Sequence, residues 1–61
     1  MTRHDVIDTL RRKGIKPGQL VLKAWFLTEP EAEPVLRLLE SLADEGFFER
    51  KDRDYILRRE V

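Results

Sequence analysis

The chain has 61 residues, with 12 Lys or Arg against 12 Asp or Glu and a formal charge of zero. A chain this short is expected to fold as one domain that buries only about 60% of its unfolded surface. With no Cys, a single His (His4) and a single Ser (Ser41), it offers no disulfide framework, thiolate metal site, multi-histidine site or nucleophile triad. We therefore expect neither an enzyme nor a cofactor. The longest apolar run, Ala24 to Leu27, is far short of the roughly 20 residues that span a bilayer. Met1 to Asp5 lacks the apolar segment of a signal peptide, so the expected address is the cytoplasm, with no membrane partner.

Zero net charge conceals segregation. Residues 1–27 carry +4, residues 28–49 carry −6 and residues 50–61 carry +2. A nucleic-acid binder usually shows a basic balance or a basic stripe, and only the two ends of this chain could supply one.

A first helix is predicted over 3–13. Thr2 is placed to cap it, with Asp5 in a short version of the capping box. Val6, Ile7 and Leu10 form its apolar stripe, and Arg11, Arg12, Lys13 and Gly14 are stop signals. Gly14 to Gly18 reads as a connector in which Pro17 biases Lys16 toward an extended conformation, so Ile15 is a candidate for a short strand contact. Leu20, Val21, Ala24 and Trp25 recur at helical spacing, which predicts a second helix over 18–26. Leu20 to Leu22 would also suit a buried strand, but Lys23 and Ala24 break the alternation.

Thr28, Glu29, Pro30 and Glu31 read as cap and opening of a third helix over 30–45, with Glu31 at the capping-box position. Its stripe is Val35, Leu38, Leu39, Leu42 and Ala43, ending at Gly46. Phe47 to Arg50 and Tyr55 to Arg58 are β-prone runs around Lys51, Asp52, Arg53 and Asp54, which predicts a hairpin. Lacking Gly, its turn is expected to rest on Asp52 or Asp54 rather than on a tight two-residue loop.

Helix, connector, helix, turn, long helix and hairpin is an order that resembles the winged helix-turn-helix superfamily. The local match is Leu39-x-x-Leu42-x-x-x-Gly46-Phe47-Phe48-x-Arg50, similar to that superfamily's junction between helix and wing. The chain is also similar in length and in this pattern to small iron-transport regulators of the FeoC type. Those carry a cysteine cluster in the wing, which this chain lacks. The resemblance implies an α+β fold, a small winged helix of three helices followed by a two-stranded hairpin wing. It also implies a DNA-binding, transcription-regulating role.

Such a role would place the third helix in the major groove and the wing on the backbone. The candidate nucleic-acid contacts are then Arg37, Arg50, Lys51, Arg53, Arg58 and Arg59, and the partner is double-stranded DNA. On a helical wheel, the face of the third helix opposite its apolar stripe carries Pro30, Glu33, Arg37, Glu40, Ser41 and Asp44. Phosphates repel carboxylates, and base-reading side chains are mostly Arg, Lys, Asn or Gln. The alternative is a protein-interaction module in which Glu33, Glu40 and Asp44 dock a basic protein surface or a second copy of the chain. The five aromatics, Trp25, Phe26, Phe47, Phe48 and Tyr55, are expected mainly in the core.

Overall fold

A computed structural model describes residues 1–27 and 31–61. The first helix, α1 (Arg3–Lys13), starts and stops where its signals lie. Thr2 Oγ1 accepts the Asp5 N–H at 3.3 Å, and the Asp5 carboxylate accepts the Thr2 N–H at 2.8 Å. This full capping box satisfies two of the otherwise orphaned amides at the helix start. Gly14, at φ 71°, ends the helix in the left-handed conformation that glycine adopts without strain. The Gly14 N–H then donates to Arg11 O and the Ile15 N–H to Leu10 O, which turns Ile15 onto the core.

The segment predicted as a second helix folds differently. It forms a two-residue strand, β1 (Leu20–Val21), and a 3-10 turn over Lys23–Trp25. The reason lies across the sheet. The hairpin strands β2 (Phe48–Lys51) and β3 (Asp54–Leu57) leave the free edge of β3 with unpaired backbone groups, and β1 pairs there. Leu20 stands opposite Ile56 and Val21 opposite Tyr55, while the Gly18 N–H donates to Leu57 O at 2.7 Å. Tertiary pairing thus outweighs a short run of helical spacing. The helical reading puts Leu20 and Ala24 on the apolar face. Instead Leu20 is half exposed and Ala24 lies outside the core, and Val21 and Phe26 are buried.

The sheet is antiparallel throughout, with order β1-β3-β2. The architecture is α+β, and the described residues form two α-helices and a three-stranded sheet in place of three helices and a two-stranded hairpin. The β2–β3 turn is also tighter than expected. Lys51 pairs with Asp54, so the loop is Asp52 and Arg53 alone, and Asp52 takes the positive φ (55°) that a glycine would otherwise supply.

The long helix, α2 (Ala32–Asp44), follows Glu31, which is its cap residue and not the capping-box acid expected from the sequence, and whose side chain makes no capping bond. The predicted cap at Thr28 and the opening at Pro30 lie outside the described residues. The helix ends on Gly46 (φ 85°), with the Gly46 N–H donating to Ala43 O and the Phe47 N–H to Leu42 O. This paired closure leads directly into β2. The core joins Val6 and Leu10 of α1 with Val35, Leu39, Leu42 and Ala43 of α2. Val21, Phe48, Tyr55 and Leu57 of the sheet and Phe26, just after the 3-10 turn, complete it. Leu38, Trp25 and Phe47 pack on its rim.

Candidate nucleic-acid interface

Strand alternation sets which hairpin side chains meet α2. Phe48 and Arg50 lie two apart and share one face of β2, as Tyr55 and Leu57 do on β3. Phe48, Tyr55 and Leu57 fill the core, which carries Arg50 to the same side, one residue pair from the hairpin turn. There its guanidinium bridges two carboxylates one helical turn apart on α2. Nε donates to Glu40 Oε1 at 3.0 Å, and Nη2 donates to Asp44 Oδ1 at 2.9 Å. The Tyr55 hydroxyl donates to the other Glu40 oxygen.

The titration behaviour follows from these bonds. The Tyr55 hydrogen bond, then the Arg50 hydrogen bond, hold the Glu40 carboxyl below the usual carboxylate range. Burial, then the bond to ionised Glu40, pushes the Tyr55 phenol well above its ordinary value. Hydrogen bonds to Asp44 and Glu40 raise Arg50 further.

The other candidate contacts are distributed unevenly. Arg37 pairs with Glu33 across one turn of α2. Arg58 pairs with Glu49 on the outer face of the sheet. Arg59 donates to Glu45 O at 2.9 Å, at the C-terminus of α2, and its guanidinium lies 5.5 Å from the centre of the Phe47 ring. Arg3 pairs with Glu45 and stands over the same ring. Lys51 and Arg53, beside and within the hairpin turn, are exposed and have no carboxylate within ion-pair distance among the described residues.

Of the six bases read from the sequence as nucleic-acid contacts, three have no carboxylate within ion-pair distance among the described residues: Lys51 and Arg53 at the hairpin tip, and Arg59, which bonds a backbone carbonyl. The three carboxylates read as the alternative docking face are each engaged by a guanidinium. Sequence reasoning sets Glu40 and Arg50 on opposing sides of the functional question, and the fold joins them. It also misses Tyr55 and Asp54. The Asp54 carboxylate accepts the Lys23 N–H at 2.9 Å and so caps the 3-10 turn from the hairpin. The period-two spacing of Phe48, Arg50, Tyr55 and Leu57 is the signal available for the shared face. Among the described residues, no group of three His, Asp or Glu could hold a metal ion, and no helix is long and apolar enough to cross a membrane. Comparison with protein families, with curated proteins and with solved structures finds no match.

Proposed function

We propose that the chain is a small winged-helix domain that binds duplex DNA in a regulatory role, with the hairpin as its wing. The observation that carries this reading is the arrangement of α2, β2 and β3 with β1 closing on β3. It sets the amphipathic helix beside a hairpin whose turn presents Lys51 and Arg53 without acidic partners among the described residues. In helix-turn-helix proteins the corresponding helix approaches the major groove, and flanking elements grip the backbone. Arg37, Arg50, Arg58 and Arg59 are held in exposed pairs or on a helix end. Such pairs are worth only about 0–1 kcal/mol, so a phosphate can compete for those guanidiniums.

A second reading has its own support. The outer face of α2 with Arg50 sets three carboxylates (Glu33, Glu40, Asp44) against two guanidiniums, leaving an excess of negative charge. That balance suits a basic protein surface or a second copy better than phosphates.

The deciding experiment is a titration with random-sequence duplex at two salt concentrations, alongside sedimentation of the protein alone. DNA binding predicts an affinity that falls with salt. It also predicts a shallower log–log slope in the Lys51→Ala/Arg53→Ala variant, by about 0.9 for each phosphate no longer neutralised. No duplex binding at low salt, with concentration-dependent self-association, replaces this reading with the interaction module.

A further inference from the structure

The longest stretch of bases without an acid lies outside the wing residues, in the segment that pairs with β3. Residues 9–27 contain five bases (Arg11, Arg12, Lys13, Lys16, Lys23) and no Asp or Glu. Elsewhere most arginines are neutralised locally: Arg3, Arg37, Arg50 and Arg58 each sit in an ion pair. Within the stretch, Arg11 reaches back to Asp8 at 3.8 Å, and Lys23 lies over the Tyr55 ring. Arg12, Lys13 and Lys16 have no carboxylate within ion-pair distance among the described residues, and all three are exposed.

Local structure gathers them at one end of α1. Arg12 and Lys13 are its last two residues, and Arg12 donates to Thr9 Oγ1. Gly14 closes the helix, Ile15 turns onto the core, and Lys16 follows with its N–H bound to the Gln19 side chain. The Lys13 ammonium stands 4.7 Å from the centre of the Trp25 ring, which belongs to the 3-10 turn. The negative end of the helix dipole favours cations within the last turn of α1. That accounts for Arg12 and Lys13 but not for Lys16 beyond the helix, nor for the absence of any acid through the stretch. Uncompensated like charges repel each other, and a basic patch beside an aromatic ring is the electrostatic footprint of a phosphate-bearing polymer.

We infer that Arg12, Lys13 and Lys16, around Trp25, form a phosphate-contact surface for nucleic acid built from other bases than Lys51 and Arg53 of the hairpin tip. This rests on the DNA reading above and assigns part of the backbone contact to a face that reading does not use. The bases act as backbone contacts without sequence preference, because no Asn or Gln accompanies them except Gln19, whose side chain is engaged by Lys16.

Trp25 is the only tryptophan, so its emission reports on this surface. The test compares duplex binding of the parent, Arg12→Ala/Lys13→Ala/Lys16→Ala and Lys51→Ala/Arg53→Ala across a salt series, following Trp25 emission. The triple variant should flatten the log–log salt slope by about 0.9 for each phosphate it no longer neutralises. Saturating duplex should change Trp25 emission in the parent and in the tip variant alike. A triple variant with the parent's slope, while the tip variant is flattened, overturns this surface and leaves the DNA reading standing. A parent that binds no duplex overturns both, and self-association that disappears in the triple variant then reassigns the patch to a second copy. Should the triple variant fail to fold, unchanged Trp25 emission in the duplex-saturated parent overturns the proposal.

Discussion

The Tyr55 hydroxyl donates to the carboxylate of Glu40, tying the central strand of the sheet to the outer face of α2. The bond joins a phenol ring in the core to a helix face that sequence periodicity assigns wholly to solvent. Arg50 completes the arrangement from the neighbouring strand, opposite Tyr55 in the β2–β3 register. Removing only the hydroxyl, as in Tyr55→Phe, keeps the ring packed. It should cost about 1.5 kcal/mol, the low end for a hydrogen bond to a charged group, because the Glu40 carboxylate is partly solvated. Thermal or denaturant unfolding of parent and variant measures it.

The same bond gives stability a pH dependence with a definite sign. Glu40 has a folded-state pKa below its unfolded value, so its contribution is complete above the ordinary carboxyl range. It is lost as pH falls through about 4 and down to the lower folded value. Asp5 and Glu45 are shifted the same way, by the Thr2 capping bonds and by Arg3 respectively, and add to the same acid limb. Glu40→Gln should therefore reduce stability at neutral pH and flatten its fall toward acid. An acid limb identical in slope to the parent's would remove Glu40 from the linkage.

Tyr55 titrates in the opposite window. Its folded pKa is raised, so its contribution is complete below the ordinary phenol range and is lost as pH rises through about 10 and on to the raised folded value. As Tyr55 is the only tyrosine, phenolate absorbance reads it directly. The midpoint should lie above about 10 in the parent and move down in Glu40→Gln. It should stay raised to some degree, because burial is the larger cause.

How far the fold was legible depends on where each element's stabilisation comes from. α1 and the C-terminal end of α2 carry their own signals in Thr2, Asp5, Gly14 and Gly46, so local reading places them well. Leu20 to Trp25 carries an ambiguous pattern, and what decides it is the edge of β3 more than thirty residues away. The tight hairpin turn was hidden because Asp52, not Gly, adopts the left-handed conformation. In the candidate site, residue types were readable but pairing was not. Nothing in the order of Glu40, Asp44 and Arg50 states that a strand will lay one against the other two.

The capping of the 3-10 turn by a remote side chain offers a separate check. Asp54→Ala removes the acceptor of the Lys23 N–H and should cost about 1 kcal/mol, as for a helix cap. Asp54→Asn keeps an oxygen at that position and should recover most of the loss. Equal destabilisation by the two changes would mean that the charge of Asp54, not its acceptor geometry, is what matters.

Leu39 is fully buried where α2 meets the rest of the core. Leu39→Ala should lose about 2–5 kcal/mol from transfer and cavity terms together. Against a total stability of about 5 kcal/mol for so small a domain, the variant should be largely unfolded at ambient temperature. Circular dichroism against temperature tests it, and a melt like the parent's would refute the packing.

The outer face of α2 separates the two functional readings, and the structure picks the residue to change. Glu40 is unsuitable, because neutralising it also disturbs Tyr55 and Arg50. Glu33 has no such role: its side chain is 75% exposed and pairs with Arg37 one turn along the helix. Glu33→Gln removes only a first-turn acid and an exposed pair, so it should cost no more than about 1 kcal/mol. If α2 faces a duplex, the carboxylate opposes the phosphate field while restraining Arg37. Its removal should tighten binding at low salt, with the gain shrinking as salt screens it. If the same face meets a basic protein surface, the change removes an attraction and should weaken association, chiefly by slowing the on-rate. The sign of the effect in a duplex titration and in sedimentation of the protein alone thus assigns the face of α2 to one partner class.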